Sequence, residues 1–432
     1  MKNSKFYLIL VLLFLPTFFM GGCSTAAPAP PLKDIHLTDE NPSQKQQTTL
    51  SLTFSGRDLS WISAVEKTAQ DFMNLHPDIV LDIDKCTNGI YSEYLNTKEA
   101  LGEFPDLFEI QEPATLMAAG RLGDFPEEIS KLTNEPLRMD GKCYALPIYS
   151  NTYGIIYNKQ IFERLHLELP QNYQDFLDIC EKLKRSGITP IAFSGSDLWH
   201  FGYWLNYFFI TDVLDSNPDW LQDRNQNLVS FTDEQPIQML TDYKNLFDSG
   251  YIIYNYMHIS DSQLAAALVQ ENAAMLYSGP FMFPLILKAD EAFPLGWFFL
   301  PDKNGDINAI NARESFWSIS KECREDSLKS EAAYCFLEYF YQSDVYRNVL
   351  QTTNTISTTK RTVLYPSIEV HQQLRKEYLF SNQVSNYIGD FHTPQNFTYE
   401  LYEIINDMAA DKITINEGAA MLDRKWNENQ TR

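Results

Sequence analysis

Three groups of residues carry chemistry suited to a small molecule. Asp106, Glu109 and Glu112 fall together at the end of a strand-like stretch, and paired carboxylates are the equipment of glycoside hydrolysis. In a chain with 57 acidic residues such closeness also arises without function. Trp199, Tyr203 and Trp204 open an aromatic run that continues to Phe209. Aromatic faces stack on the C–H surfaces of ligands that are polar at their edges, but the same run also suits a core helix. One of the three facing a site is expected, not all three. Gly56, Arg57 and Asp58 follow a strand-like stretch, where the charged pair either meets ligand hydroxyls or caps a turn.

Other catalytic chemistry lacks its sequence pattern. Neither phosphate-binding glycine loop occurs, the seven histidines are scattered singly, and there is no H-E-x-x-H or G-x-S-x-G. The formal charge of -23 argues against nucleic acid and anionic lipid as partners. Six cysteines include Cys23; the other five cannot all pair, and none shows C-x-x-C spacing. Most are read as small buried hydrophobes, with one disulfide left open.

The elements that must position these residues alternate. Leu50, Leu52 and Phe54 have the period of a strand. Trp61, Ile62, Val65, Ala69, Phe72 and Met73 have that of a helix, which His76-Pro77 stops. Ile79, Leu81 and Ile83 predict a second strand, and 105–110 a third, followed by an Ala-rich helix ending at Gly120. Strand, helix, strand, helix predicts a parallel sheet with crossover helices. A second α/β region follows Tyr149, with strands over 154–157, 188–193, 273–277 and 316–320. Helices are predicted over 172–185, 234–247, 261–270 and 328–341, and a helical region from 396 onward.

The first residues set a compartment. Lys2 and Lys5 precede an apolar run over 6–20, which Pro16 interrupts and which is too short to span a bilayer. Gly21-Gly22-Cys23 then resembles the lipobox of bacterial lipoproteins, with Met20 where Leu is more usual. That resemblance implies a signal peptide over 1–22 and lipidation, as by palmitate, at Cys23. The Pro/Ala/polar stretch 23–47 reads as a tether. The roughly 385 residues beyond it exceed one usual core, so two lobes are expected.

Several segments together resemble family 1 extracellular solute-binding proteins, the maltose-binding-protein-like receptors of carbohydrate ABC importers. The most specific is Asp140-Gly141-Lys142-Cys143-Tyr144-Ala145-Leu146-Pro147, running on to Tyr157-Asn158-Lys159. Phe104-Pro105-Asp106-Leu107-Phe108, Gly120-Arg121-Leu122-Gly123-Asp124-Phe125 and Gly187-Ile188-Thr189-Pro190-Ile191-Ala192 stand in the family's order. So do Ala273-Ala274-Met275 with Ser278-Gly279-Pro280-Phe281, and Ser315-Phe316-Trp317-Ser318-Ile319-Ser320. The likeness covers about 48 to 426.

The resemblance implies a two-lobed periplasmic-binding-protein (venus-flytrap) fold, type II-like, each lobe a mixed α/β sheet flanked by helices. It implies lobe segments 48–149, 150–296, 297–345 and 346–432, a monomer with no cofactor or metal, and a sugar delivered to a membrane ABC permease. Gln111 and Glu112 then lie where the family presents hydrogen-bonding side chains. Asn151 lies at the first crossing between lobes, or simply satisfies a turn. Phe281 stands where relatives often carry a stacking Trp, which keeps a ring and removes an N–H donor. Trp297 is either a ligand contact or hinge packing; Arg313 and Glu314 either line the cleft floor or form an exposed loop pair. A sensory receptor for a membrane kinase, a surface adhesin and a carboxylate-pair hydrolase are the competing functions.

Overall fold

The computed structural model describes residues 47–430 except 57, 58, 88–90, 112, 197, 362, 391 and 395. The signal peptide, Cys23 and nearly all of the tether lie outside the described residues, as do Arg57, Asp58 and Glu112.

Two sheets organise the body. The first holds β1 (Thr48–Ser55), β2 (Ile79–Cys86), β3 (Leu107–Ile110), β4 (Leu122–Gly123), β5 (Leu137–Met139) and β6 (Lys142–Pro147). The second holds β7 (Gly154–Asn158), β8 (Thr189–Ala192), β9 (Ala273–Ser278) and β10 (Leu295–Phe298), in the order β10-β7-β9-β8. After a short strand β11 (Asn308–Ile310), the chain returns to the first sheet as β12 (Phe316–Ser320). The order there is β2-β1-β3-β12-β6-β5, with β4 also on β12. A last strand, β13 (Asn382–Val384), pairs with β11 alone.

The expected parallel start holds: β1 pairs with β2 in the register Leu50↔Leu81 and with β3 as Leu52↔Leu107. β12 then enters antiparallel beside β3, setting Trp317 opposite Glu109, so the sheet is mixed. Leu50, Leu52 and Phe54 are fully buried on one core. Over them lies helix Leu59–Leu75, which buries Trp61, Val65, Ala69 and Phe72 at helical spacing. In the second lobe, Asn158 and Asn172 accept the first free amides of helices Lys159–Arg164 and Tyr173–Arg185, fixing where each begins.

Two lobe boundaries move from their expected places. The return is expected at 297, but residues 297 and 298 instead complete β10, an edge strand of the second sheet. The crossing comes at 311–315, between β11 and β12. The second lobe is expected to resume at 346, but helix Ser343–Thr353 buries Tyr346, Val349 and Leu350 in the first lobe's core. Among the described residues, none of Cys86, Cys143, Cys180, Cys323 and Cys335 is in a disulfide, and the first four are buried.

Candidate functional site

Three chain crossings join the lobes, and backbone pairs lock them side by side. Ser150 and Ile356 exchange N–H···O bonds of 2.9 Å in both directions, while Asn151 and Ala312 do so at 2.8 and 2.9 Å. These crossings floor a cavity of ≈ 790 Å³ between the lobes. Its walls draw on Gln111, Glu135 and Phe316 from the first lobe and Trp199, Phe281 and Tyr387 from the second.

Glu314 is the centre of the floor. Its Oε2 accepts from Asn151 Nδ2 at 3.0 Å, and its Oε1 accepts from the Tyr153 hydroxyl. Tyr153 is itself held by stacking on Tyr203, with ring centroids 4.0 Å apart and planes 27° from parallel. The carboxylate is open to the cavity, yet protein surrounds it on its other sides. That burial pushes its carboxyl above the usual range, against the pull of the two hydrogen bonds. Tyr153, Tyr203, Tyr387 and Tyr402 all have phenols pushed up, first by burial and next by the Glu314 charge. Four tyrosines that stay protonated at neutral pH thus share the cavity with this acid.

A second carboxylate lies beneath. Glu109, 1% exposed, accepts from Ser55 N at 3.0 Å, Trp61 Nε1 at 2.8 Å and Ser315 Oγ at 2.8 Å. Gln111 also donates to it, and burial raises its carboxyl against these four donors. It thereby ties the end of β1, the cleft residue Gln111 and the neighbour of Glu314 to one point. Asp106 and Glu109 do not stand together as an open carboxylate pair. Asp106 is turned to Lys329 at 2.8 Å and to Ser51, and Glu109 is sealed below the floor.

The aromatic residues divide by helical geometry. Helix Trp199–Phe208 puts Trp199 and Tyr203, four apart, on the cavity side. Trp204 follows one residue later, about 100° around the helix, and points into the core against Tyr277 at 4.6 Å. Trp199 forms a wall with Phe281, centroids 6.0 Å apart, and stacks on His200 at 3.7 Å. His200 Nε2 lies 2.7 Å from Asp261, which fixes the imidazole under the indole. Gly202 lets Tyr402 press on the same helix: a Cβ there would sit 2.6 Å from the Tyr402 hydroxyl oxygen.

Of the residues read from sequence, Gln111, Asn151, Trp199, Tyr203, Phe281 and Glu314 meet at this cavity, with Arg313 beside them. Trp204 and Trp297 do not. Trp297 is fully buried in β10 and lies over Gly154, where an added Cβ would be 2.5 Å from its Cζ2. Its role is packing between strands rather than ligand contact. Tyr153, Tyr387, Tyr402, Asp390 and Glu135 also line the cavity and were not foreseen. Tyr153 stood within the most specific family segment; the other four lie where no local pattern marks them.

Two α/β lobes joined by three crossings around an aromatic, hydrogen-bonding cleft define a solute-receptor architecture. The family model for bacterial extracellular solute-binding protein matches residues 60–346. The chain belongs to that family of bacterial extracellular solute-binding proteins. It is similar to the multiple sugar-binding protein of Streptococcus mutans, 23% identical over 294 residues, 65% of this chain and 70% of that one. The melibiose/raffinose/stachyose-binding protein MelE of Bacillus subtilis is 24% identical over 221 residues, 49% of this chain and 47% of that one. Among solved structures, a chitin oligosaccharide binding protein superposes with a TM-score of 0.77 at 19% identity, covering 90% of this chain and all (100%) of that one. The raffinose complex of RafE gives 0.72 at 18% identity, covering 89% and 100%. These relatives are binding proteins rather than enzymes. Among the described residues, no helix is long and apolar enough to cross a membrane.

Proposed function

We propose that this chain captures a mono- or oligosaccharide in the interlobe cleft and delivers it to a membrane ABC permease. The observation that carries this is the pairing, in one cavity, of an aromatic wall with a hydrogen-bonding floor. Trp199, Phe281 and Tyr203 supply ring faces; Glu314, Asn151 and Gln111 supply acceptors and donors. Sugars need both, since their C–H faces stack while their hydroxyls demand partners once desolvated. Arg57, Asp58 and Glu112 are proposed to complete the first-lobe side, following β1 and β3 in the chain.

The work done is binding rather than bond-breaking. A ligand that touches both lobes favours the closed state by the difference between its contacts in the two states, and no more. Lobe movement about the three crossings is the motion this reading requires. The relatives named as binders of multiple sugars, raffinose and chitin oligosaccharide support a saccharide as the class. In this reading Cys23 bears the lipid that holds the receptor at the outer face of the bacterial membrane, and residues 24–47 give it reach.

A thermal-shift screen against a sugar panel tests the proposal. A ligand at a hundredfold excess over Kd adds about 2.7 kcal/mol of apparent stability. A shift with one saccharide class and no product formed supports the receptor; glycoside turnover, or no shift with any sugar, counts against it.

A further inference from the structure

Among the described residues, both arginines that line the cavity pair with acids, whereas Glu314 pairs with no cation. Arg138 is engaged by Glu127 at 3.0 Å, and Arg313 by Glu135 at 2.6 Å. Asp390 holds His392 at 2.9 Å. Glu314 has only neutral hydrogen-bond partners among the described residues, the Asn151 amide and the Tyr153 hydroxyl. A carboxylate offers about four lone-pair positions, so each of its oxygens keeps one for a ligand. Its orientation is also set: Tyr153, stacked on Tyr203, and Asn151, paired with Ala312 through the backbone, hold one oxygen each.

We propose that Glu314 determines which saccharides this cleft accepts, taking two donors from one ligand, adjacent hydroxyls or an ammonium, and turning away saccharides that carry an acid. The inference rests on the saccharide-binding reading above. A carboxylate or phosphate brought to this floor meets the Glu314 charge, while the described arginines of the cavity, Arg138 and Arg313, are already committed to protein acids. A donor pair, in contrast, finds an acceptor that is charged, oriented and partly desolvated, which is the strong kind of hydrogen bond.

The binding form is the ionised one, and burial pushes the Glu314 carboxyl up. Affinity should therefore fall as the medium is acidified from neutral pH through that raised range. The groups facing it are Asn151, which does not titrate, and Tyr153, Tyr203, Tyr387 and Tyr402, whose phenols are pushed further up and stay protonated. Among the described residues, the Arg138–Glu127, Arg313–Glu135 and His392–Asp390 pairs also lie around the cavity. Any share they take in the pH profile persists in a Glu314→Gln variant and can be subtracted.

Titration calorimetry on the full chain decides the matter. The probes are raffinose and chitotriose (neutral), the glucosamine trimer (ammonium) and trigalacturonate (carboxylate). At least one of the first three should bind, with trigalacturonate at least roughly tenfold weaker. Glu314→Gln should lower affinity for the bound probe by roughly tenfold or more, the usual worth of a charged hydrogen bond, and flatten its decline at low pH. A greater loss with the glucosamine trimer than with neutral probes assigns the ammonium as donor; equal losses assign hydroxyls. Trigalacturonate binding as tightly as the others, or an unchanged affinity in Glu314→Gln, overturns the inference while leaving the sugar receptor standing. Binding of none of the four overturns both. The comparison among probes on the unaltered chain does not depend on how the variant folds.

Discussion

Ser315 donates its hydroxyl to Glu109 at 2.8 Å, joining the segment that carries Glu314 to the strand opposite it. The bond matters because Glu109 is buried and its carboxylate makes every hydrogen bond as an acceptor. A glutamine amide at that position would turn a donor toward donors. We expect Glu109→Gln to cost about 2 kcal/mol of stability and to weaken ligand binding by freeing Gln111 and Ser315. An unchanged urea midpoint would show that the cage tolerates a neutral amide.

The two tryptophans of helix Trp199–Phe208 should behave oppositely. Trp204→Ala opens the core, as does Trp297→Ala, and each should cost about 3–5 kcal/mol. Trp199→Ala should leave stability within about 0.5 kcal/mol while reducing sugar affinity roughly threefold to tenfold. Denaturant melts paired with ligand titrations separate the two effects.

The platform under Trp199 offers a subtler change. Asp261→Ala removes the acceptor that fixes His200, 2.7 Å away, and so loosens the ring on which Trp199 stacks. The expected result is a severalfold loss of affinity with about 1 kcal/mol of destabilisation. Equal affinities in the variant and the native chain would show that the indole is held by its other neighbours, Tyr203 and Phe281.

Away from the cleft, Asp212 sits in the π-helical turn Phe209–Leu214, and its Oδ2 has no hydrogen-bond partner among the described residues. Burial, with Asp242 adding repulsion, raises its pKa from 3.8 to about 7. The folded state thus holds a proton that the unfolded chain releases from pH 4 upward. The stability this confers is present at low pH and lost as the pH rises through about 7. Asp212→Asn should therefore match the native chain near pH 4 and exceed it at pH 8, by roughly 1–2 kcal/mol after allowing for solvent screening. Melting curves at the two pH values check the sign.

Much of the architecture was legible. The alternation of Leu50, Leu52 and Phe54 and the helical spacing of Trp61, Val65, Ala69 and Phe72 report one-sided burial, which each element declares locally. The site was legible in part, because Gln111, Asn151, Phe281 and Glu314 stand beside strands or in recognisable family segments. Tyr387 and Tyr402 come from a stretch with no such mark, and they reach the cavity only because the chain returns to it.

The sequence alone determined that this chain builds alternating strands and helices, that it is too long for one core, and that it resembles sugar-binding receptors. Those are properties of short windows and their order, which local sterics and hydrophobic periodicity express directly. Only the tertiary structure decided that Trp199 faces the cleft and Trp204 the core, one residue apart. It also placed Trp297 behind Gly154, moved the return crossing to 311–315 and set Glu314 among four tyrosines from separate parts of the chain. Such relations join residues far apart in sequence, so they exist only once packing has brought their elements together.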